Sequence, residues 1–405
     1  MNSKIIGAVE IGTSKVVVLI GDIVNDKTLN IIGMGVSSSQ GVKKGEIIDF
    51  NSASDCTHAA IMAAEDTAGV KVDGIYLAQS GRHLEANFSD AEVTVKSPDN
   101  IVQRADIRRL LTEAKSKQLP EERAIIHHIR TGFILDGDLV DDPENLEGHK
   151  LGVGYWNIHG SFKKMSDSIH IINGFGLRVE DLIVSSLASG KMVTTEEERQ
   201  SGVLAIDIGS GSTDYVLFKN GYVVHTGVVA VGGDHITNDL SIGFRTNAKL
   251  ADMLKVNSGK ATLEPKSKND KVMLIGDLTI GDRSISRSGV CQIINARVDE
   301  LFKIIRSNKQ VSAYFTNREI SSVVLTGGTS QLKDIEKLAE KVFGLPVAQG
   351  ENPSWVASDI AGPEFSTALG LLYFGFSYRD DTRFTEQKRG TNLFKGLKQL
   401  IGLKS

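Results

Sequence analysis

The stretch VLAIDIGSGSTDYVLF, residues 203–218, sets two apolar β-forming runs on either side of a turn made of small residues. Val203 to Asp207 reads as one strand, IGSGSTD as the turn, and Tyr215 to Phe218 as the strand that returns. The same pattern stands about 200 positions earlier, where Ile5 to Val9 and Val16 to Ile20 flank EIGTSK. Two matching openings predict a duplicated α/β domain. Outward from the first hairpin, Leu29 to Met34 supplies a third strand. Ala53, Cys56, Ala60, Ile61, Ala64 and Ala68 recur at helical spacing, predicting a helix from Ser52 to Gly69 capped by Ser52 or Ser54. Gly74 to Leu77 is a further strand.

Between about Leu84 and Lys164 the texture changes to short alternating runs, a charged helix from Arg104 to Lys117 and the acidic loop DGDLVDDPENLEGHK. This is the pattern of an inserted α+β unit. Ser166 to Phe175 reads as a helix ending at a glycine, Gly233 to Ile294 as a more polar insertion in the second half, and Ser321 to Leu325 as a strand running into TGGTSQ. The ordered core ends near Phe376, and RDDTRFTEQKRG is a polar linker. The expected architecture is therefore a first core of 1–83 and 165–200 carrying an insertion at 84–164. A second core of 201–235 and 295–378 carries an insertion at 236–294, followed by a linker (379–390) and a terminal helix (391–405).

Composition narrows the function. A chain of 405 residues exceeds one ordinary core and suits two to four packed units. A net charge of −4 is too near neutral for a protein that coats nucleic acid through its overall field. Cys56 and Cys291 cannot build a disulfide framework or a cysteine zinc site, which fits a reducing compartment. No apolar run approaches the length that spans a bilayer, so the body is expected in the cytosol.

Paired turns of small residues, each preceded by a carboxylate, suit a polyphosphate held between two halves. Backbone N–H groups of Gly and Ser come close to phosphate oxygens because no bulky side chain intervenes. Gly12, Thr13 and Ser14 would donate from the first turn, with Lys15 adding charge, and Gly209, Ser210, Gly211, Ser212 and Thr213 from the second. Glu10 and Asp207 stand at matching offsets and could hold a hydrated Mg²⁺, an ion that prefers one or two carboxylates plus phosphate and water. Gly327 and Gly328, followed by Thr329, would let a flat base lie against the backbone at the head of the next helix. His127 and His128 are adjacent, point to opposite faces of a strand and cannot share a metal.

The stretches GAVEIGTSKV, IIGMGVSSSQGVKKGEIID, LAQSGRH, VLAIDIGSGSTDYVLF, VGGDHITNDL, VVLTGGTSQL and FSTALGLLYFG together resemble the actin-type ATPase superfamily and, within it, the FtsA family of bacterial cell division. Glu10 carries weight, since actin-type loops usually have Asp there and FtsA sequences commonly have Glu. The resemblance implies four subdomains in two halves, ATP and Mg²⁺ in the cleft, and ribose contacts from Asp252 and Lys255, where the family's Glu is one methylene longer than Asp252. By analogy with MreB, Ser185 stands where a carboxylate orients water. A serine is a poor general base near neutral pH, so slow or absent turnover is expected.

In GTNLFKGLKQLIGLKS, Leu393, Phe394, Leu397, Leu400 and Ile401 fall on one stripe at about 100° per residue, with Lys395 and Lys398 off it. That is the composition of a helix lying in an anionic lipid surface, and several tails on one polymer would bind by avidity. The resemblance further implies self-association, recruitment of later division proteins at the septum, and capture of the C-terminal peptide of FtsZ. Arg297 and Glu300 fall at contact positions for that peptide, and Arg283 and Arg287 lie close by. Competing readings are a sugar or acetate kinase of the same superfamily, a PilM-type membrane adaptor and a DnaK-type chaperone. The kinase leaves the tail unexplained, and the chaperone needs a long domain after Phe376.

Overall fold

Each small-residue turn closes an antiparallel hairpin, and each hairpin sits inside a five-stranded sheet. The computed structural model describes residues 4–25, 28–114, 119–263, 270–274 and 283–377. The first half comprises β1 (Lys4–Ile11), β2 (Lys15–Asn25), β3 (Thr28–Ser38), a small ribbon of β4 (Val42–Lys43) and β5 (Glu46–Ile47), α1 (Phe50–Ala68) and β6 (Gly74–Gln79). An insertion follows with β7 (Glu85–Thr94), α2 (Arg104–Ala114), β8 (Arg123–Leu135), β9 (Asp138–Val140) and β10 (Lys150–Ser161). The first half resumes with α3 (Phe162–Gly174), β11 (Arg178–Val184), α4 (Ser185–Val193) and α5 (Glu196–Ser201).

The second half holds β12 (Val203–Ile208), β13 (Thr213–Lys219), β14 (Tyr222–Val229), α6 (Gly233–Phe244), α7 (Ala248–Ser258), β15 (Lys271–Leu274) and β16 (Arg283–Ser286). It continues through α8 (Arg287–Ser307), α9 (Lys309–Thr316), β17 (Ser322–Thr326), α10 (Ile335–Phe343), β18 (Val347–Gln349) and α11 (Ser366–Ser377).

The two large sheets run β11-β6-β1-β2-β3 and β18-β17-β12-β13-β14. In each, the first hairpin strand is antiparallel to its partner and parallel to the strand on its other side. The same connectivity appears twice, as the repeated turns require. The halves are tied by α4, which leaves the first sheet and packs on β12 and β13, and by α11, which leaves the second sheet and packs on β1 and β2. Where these helices cross, a Cβ at Gly370 would lie 2.1 Å from the Ala188 carbonyl oxygen, so only glycine permits the approach. A single apolar core then runs from Ile6 and Val18 through Leu187 and Leu371 to Val216 and Phe218.

The insertion is a separate sheet, β7-β10-β8-β9, with α2 laid over its own cluster of Val102, Leu110, Phe133 and Tyr155. It also touches the second half: Trp156 Nε1 donates to Thr226 Oγ1 at 3.0 Å and Tyr222 Oη to Asp141 Oδ1 at 2.8 Å. His127 and His128 face opposite ways on β8, as their adjacency predicts. His127 Nε2 accepts from the Val184 N–H at 3.2 Å while His128 Nδ1 meets Asn157 Oδ1 at 2.7 Å. Burial lowers the His127 pKa to about 3, so the ring stays neutral.

Several local expectations shift. Helix α1 starts before the serines: the Asp49 carboxylate caps it, accepting from Asn51 N and Ser52 N at 3.1 and 3.3 Å. Helix α3 starts at Phe162 instead of Ser166. After β17 the glycines open a single 3₁₀ turn, Gly328–Gln331, and α10 begins only at Ile335. In the second half, α6, α7 and α8 share one apolar core with β12, β13 and β17. The end of the charged helix beyond Ala114 and the predicted membrane stripe, Leu393, Phe394, Leu397, Leu400 and Ile401 with Lys395 and Lys398, lie outside the described residues.

Candidate functional site

Both turns close by the same hydrogen bond, Gly12 N to the Lys15 carbonyl and Gly209 N to the Ser212 carbonyl, each 3.0 Å. They also meet. A Cβ at Gly211 would sit 2.3 Å from Thr13 Oγ1 and 2.9 Å from the Lys44 backbone nitrogen, so the second turn rests directly on the first half. Between the halves opens a cleft of about 810 Å³. Gly12, Thr13, Ser14 and Lys15 line one wall, and Gly209, Ser210, Gly211 and Ser212 line the other. Thr213 is not on the wall: it is fully buried and its hydroxyl donates to the Val231 carbonyl at 2.8 Å.

Three carboxylates gather beneath these turns. Glu10 and Asp207 are the expected pair; Asp214 is the third, and it lines the cleft beside them. Asp207 Oδ2 accepts from Thr367 Oγ1 at 2.9 Å, and both oxygens of Asp214 lie 2.8 Å from Ser80 Oγ. Burial pushes Glu10 up to about 8, helped by the Asp207 and Asp214 charges and opposed by Lys15. Burial also pushes Asp214 up to about 7, with Asp207 adding to it and the Ser80 and Ser212 hydroxyls pulling it down. Asp207 is raised by burial against hydrogen bonds from Ser189 and Thr367. Lys15, stacked 4.4 Å over the Phe365 ring, has its pKa lowered by burial while Glu364 and Glu10 oppose.

Glu10 Oε2 is buried with no hydrogen-bond partner among the described residues, an expensive state for a carboxylate oxygen. A hydrated divalent cation above Glu10 and Asp207 would complete it. Among the described residues no cluster of three or more His, Cys, Asp or Glu side chains is spaced to hold a metal alone. Mg²⁺ takes few protein ligands and draws the rest of its shell from phosphate and water, and the Glu10 and Asp207 carboxylates lining the cleft fit that demand.

Beside Asp207, just past β17, Gly327 adopts φ +85°, and a Cβ there would lie 2.3 Å from Asp207 Oδ1. Gly328 faces the cleft with only Glu364 Cβ near, at 3.7 Å. Thr329 Oγ1 donates to the Gly209 carbonyl at 2.9 Å, locking this loop to the second turn. Asp252 and Lys255 share a face of α7, pair at 2.6 Å, and are bridged by Thr237, which lies 3.2 Å from Asp252 Oδ1 and 2.9 Å from Lys255 Nζ. Ser185 lines the cleft and donates to the Gln79 carbonyl at 3.2 Å. Asp214 and Ser80 were not singled out from sequence. The signal for Asp214 was available: it ends the loop IGSGSTD and pairs directly opposite Asp207 in the hairpin register.

Arg283, Arg287, Arg297 and Glu300 lie on β16 and α8, apart from the cleft wall. Arg297 forks onto Asp239 of α6 at 2.6 and 3.0 Å and reaches Glu300 at 2.5 Å. Arg287 pairs with Asp270 at 3.1 Å, and Arg283 donates to the carbonyls of Phe244 and Arg245.

The family model described as Cell division protein FtsA matches residues 204–370, and that described as the SHS2 domain inserted in FTSA matches residues 81–159. The chain is 32% identical over 375 residues to the Cell division protein FtsA of Neisseria meningitidis, covering 91% of this chain and 90% of that one. The chain belongs to the FtsA family. The FtsA of Pseudomonas aeruginosa is 31% identical over 385 residues, covering 94% and 91% of the two chains. That of Bacillus subtilis is 31% identical over 376 residues, covering 92% and 84%. Among solved structures, a PilM-PilN type IV pilus biogenesis complex aligns with TM-score 0.62 at 17% identity, covering 91% of this chain and 98% of that one. MreB5 of Spiroplasma citri bound to ADP aligns with TM-score 0.53 at 14% identity, covering 93% and 99%. At such identities the likeness concerns the fold, which is the actin-like ATPase fold of this FtsA-family cell division protein.

Proposed function

We propose that the cleft binds ATP with Mg²⁺ and that the chain works as a nucleotide-dependent adaptor: it self-associates, lies against anionic lipid of the cytoplasmic membrane at the septum through residues 391–405, and there holds FtsZ and later division proteins. The observation that carries the reading is the meeting of two equivalent small-residue turns over a buried carboxylate oxygen, Glu10 Oε2, that has no hydrogen-bond partner among the described residues. Gly12–Lys15 and Gly209–Ser212 hold the phosphates, Glu10 and Asp207 hold Mg²⁺ through water, Asp252 and Lys255 meet the ribose, and Gly327–Thr329 flank the base. When bound, Mg²⁺ supplies charge neutralisation of the triphosphate. Ser185, with its hydroxyl donating to Gln79, offers no general base, which supports slow or absent turnover.

Arg283, Arg287, Arg297 and Glu300 form the surface for the acidic FtsZ peptide, whose carboxylates would exchange with Asp239 at Arg297 and Asp270 at Arg287. Among the described residues no helix is long and apolar enough to cross a membrane; the lipid contact is assigned to 391–405 on its stripe of Leu393, Phe394, Leu397, Leu400 and Ile401 flanked by Lys395 and Lys398. The test is co-sedimentation of FtsZ with anionic vesicles, with and without this protein and MgATP, beside a chain ending at Arg389. FtsZ pelleting only with the full chain is expected. Equal pelleting with the truncated chain would remove the tail from the reading.

A further inference from the structure

The ribbon β4–β5 closes through a two-residue turn, since Lys43 pairs with Glu46 across it. Both turn residues have positive φ, Lys44 at +54° and Gly45 at +75°. Such turns favour Asn-Gly, and a lysine at the first position is conformationally disfavoured. Its place explains why it matters. Gly45 N donates to Thr13 Oγ1 of the first phosphate turn at 3.1 Å, and the Lys44 backbone nitrogen abuts Gly211 of the second. The ribbon thus clips the seam where the two turns meet. Gly45, Glu46 and Ile47 line the cleft, and Lys44, half-buried, immediately precedes them in the chain.

The second turn has a direction. At Gly209 it contacts the base side, through Thr329 and through Gly233 N donating to the Gly209 carbonyl at 3.0 Å. At Gly211 it contacts the ribbon. A nucleotide laid along it from base to last phosphate therefore finishes beside the ribbon turn, at the Lys44 backbone nitrogen. The side chain has no carboxylate to answer it: neighbouring Glu46 pairs with Lys164 at 3.3 Å, and among the described residues Lys44 makes no ion pair. Its charge acts instead on His235 in the first turn of α6. Burial lowers the His235 pKa first and the Lys44 and Arg297 charges lower it further, against Asp234 and Asp239. An ammonium beside a helix N-terminus and other cations is stabilised by an anion between them.

We infer that Lys44 is the residue by which the cleft tells a nucleoside triphosphate from a diphosphate, its ammonium meeting the terminal phosphate at the Gly211 end of the seam. This rests on the nucleotide reading of the cleft. The test is calorimetric titration of the full chain with MgATP and MgADP, using K44Q, K44N and K44R. Wild type is expected to prefer ATP. K44Q should weaken ATP about tenfold and leave ADP within roughly twofold, as loss of one charge-assisted contact implies. K44R should restore the preference. K44N relaxes the positive-φ turn, so its melting temperature should hold or rise while ATP binding still falls, separating charge from folding. Unchanged ATP affinity in K44Q and K44N, or equal losses for ATP and ADP, overturns the role of Lys44. A wild-type chain that binds neither nucleotide overturns both the inference and the reading beneath it.

Discussion

Replacing Glu10 with Gln should make the nucleotide-free protein more stable at alkaline pH and deprive it of Mg²⁺-dependent stabilisation. Folding moves this carboxyl from 4.5 to about 8, mainly through burial. The folded chain thus holds the proton more tightly than the unfolded chain. The resulting stability is fully present below about 4.5 and is lost as pH rises through about 8. Each tenfold difference in proton affinity corresponds to about 1.4 kcal/mol, so the ceiling on this contribution is roughly 5 kcal/mol. Asp214 and Asp207 are raised in the same field, so the titration belongs to the trio and Glu10 carries a share of it. Thermal melts of nucleotide-free wild type should fall between about pH 5.5 and pH 8.5, and E10Q should give a shallower slope and a higher midpoint at the alkaline end. Adding MgATP at that pH should raise the wild-type midpoint strongly and the E10Q midpoint little. An E10Q midpoint below wild type at about pH 8.5, or an unchanged slope, would refute the claim that Glu10 is a buried charge awaiting a cation.

Two further outcomes are expected. G370A places a methyl group 2.1 Å from the Ala188 carbonyl oxygen and should force α4 and α11 apart at a cost of about 1–3 kcal/mol, read as a lowered urea midpoint. A midpoint equal to wild type would mean the helix crossing adapts freely. R297A leaves Asp239 without its bidentate cation and should lower stability by no more than about 1 kcal/mol, given the partial exposure of the pair, while weakening FtsZ-peptide binding in fluorescence anisotropy. Undiminished peptide affinity would move the partner surface off α8.

The hairpins, their duplication and the inserted sheet were legible because each has a local period: alternation in the strands, small residues in the turns, and a change of texture at the insertion. What the sequence concealed depends on contacts between distant segments. Helix α1 is capped by Asp49, one residue before an apolar Phe50 that helical spacing of alanines did not include. Thr213 reads as a loop donor because it follows four small residues, yet it is the first residue of β13 and points inward to Val231. The carboxylate pair was visible as matched offsets. Asp214 carried a local signal in its place opposite Asp207, but its contact with Ser80, 134 positions away, left none.

Duplication also explains why the cleft is not symmetric. Glu10 faces Val17 across the first hairpin, while at the equivalent register Asp207 faces Asp214 across the second. At the closing position of the turn the first half has Lys15 and the second has Ser212. One half has therefore kept an apolar wall and contributed a cation, and the other has accumulated negative charge. Two halves offering the same carboxylates and the same cation would give a polyphosphate and its metal no preferred end. The divergence instead sets Asp207 and Asp214 under the second turn and Lys15 at the first, with Glu10 of the first half joining the carboxylates. On the proposed reading a nucleotide with its metal would therefore enter in one orientation, its phosphates toward Lys15 and its metal toward Glu10 and Asp207.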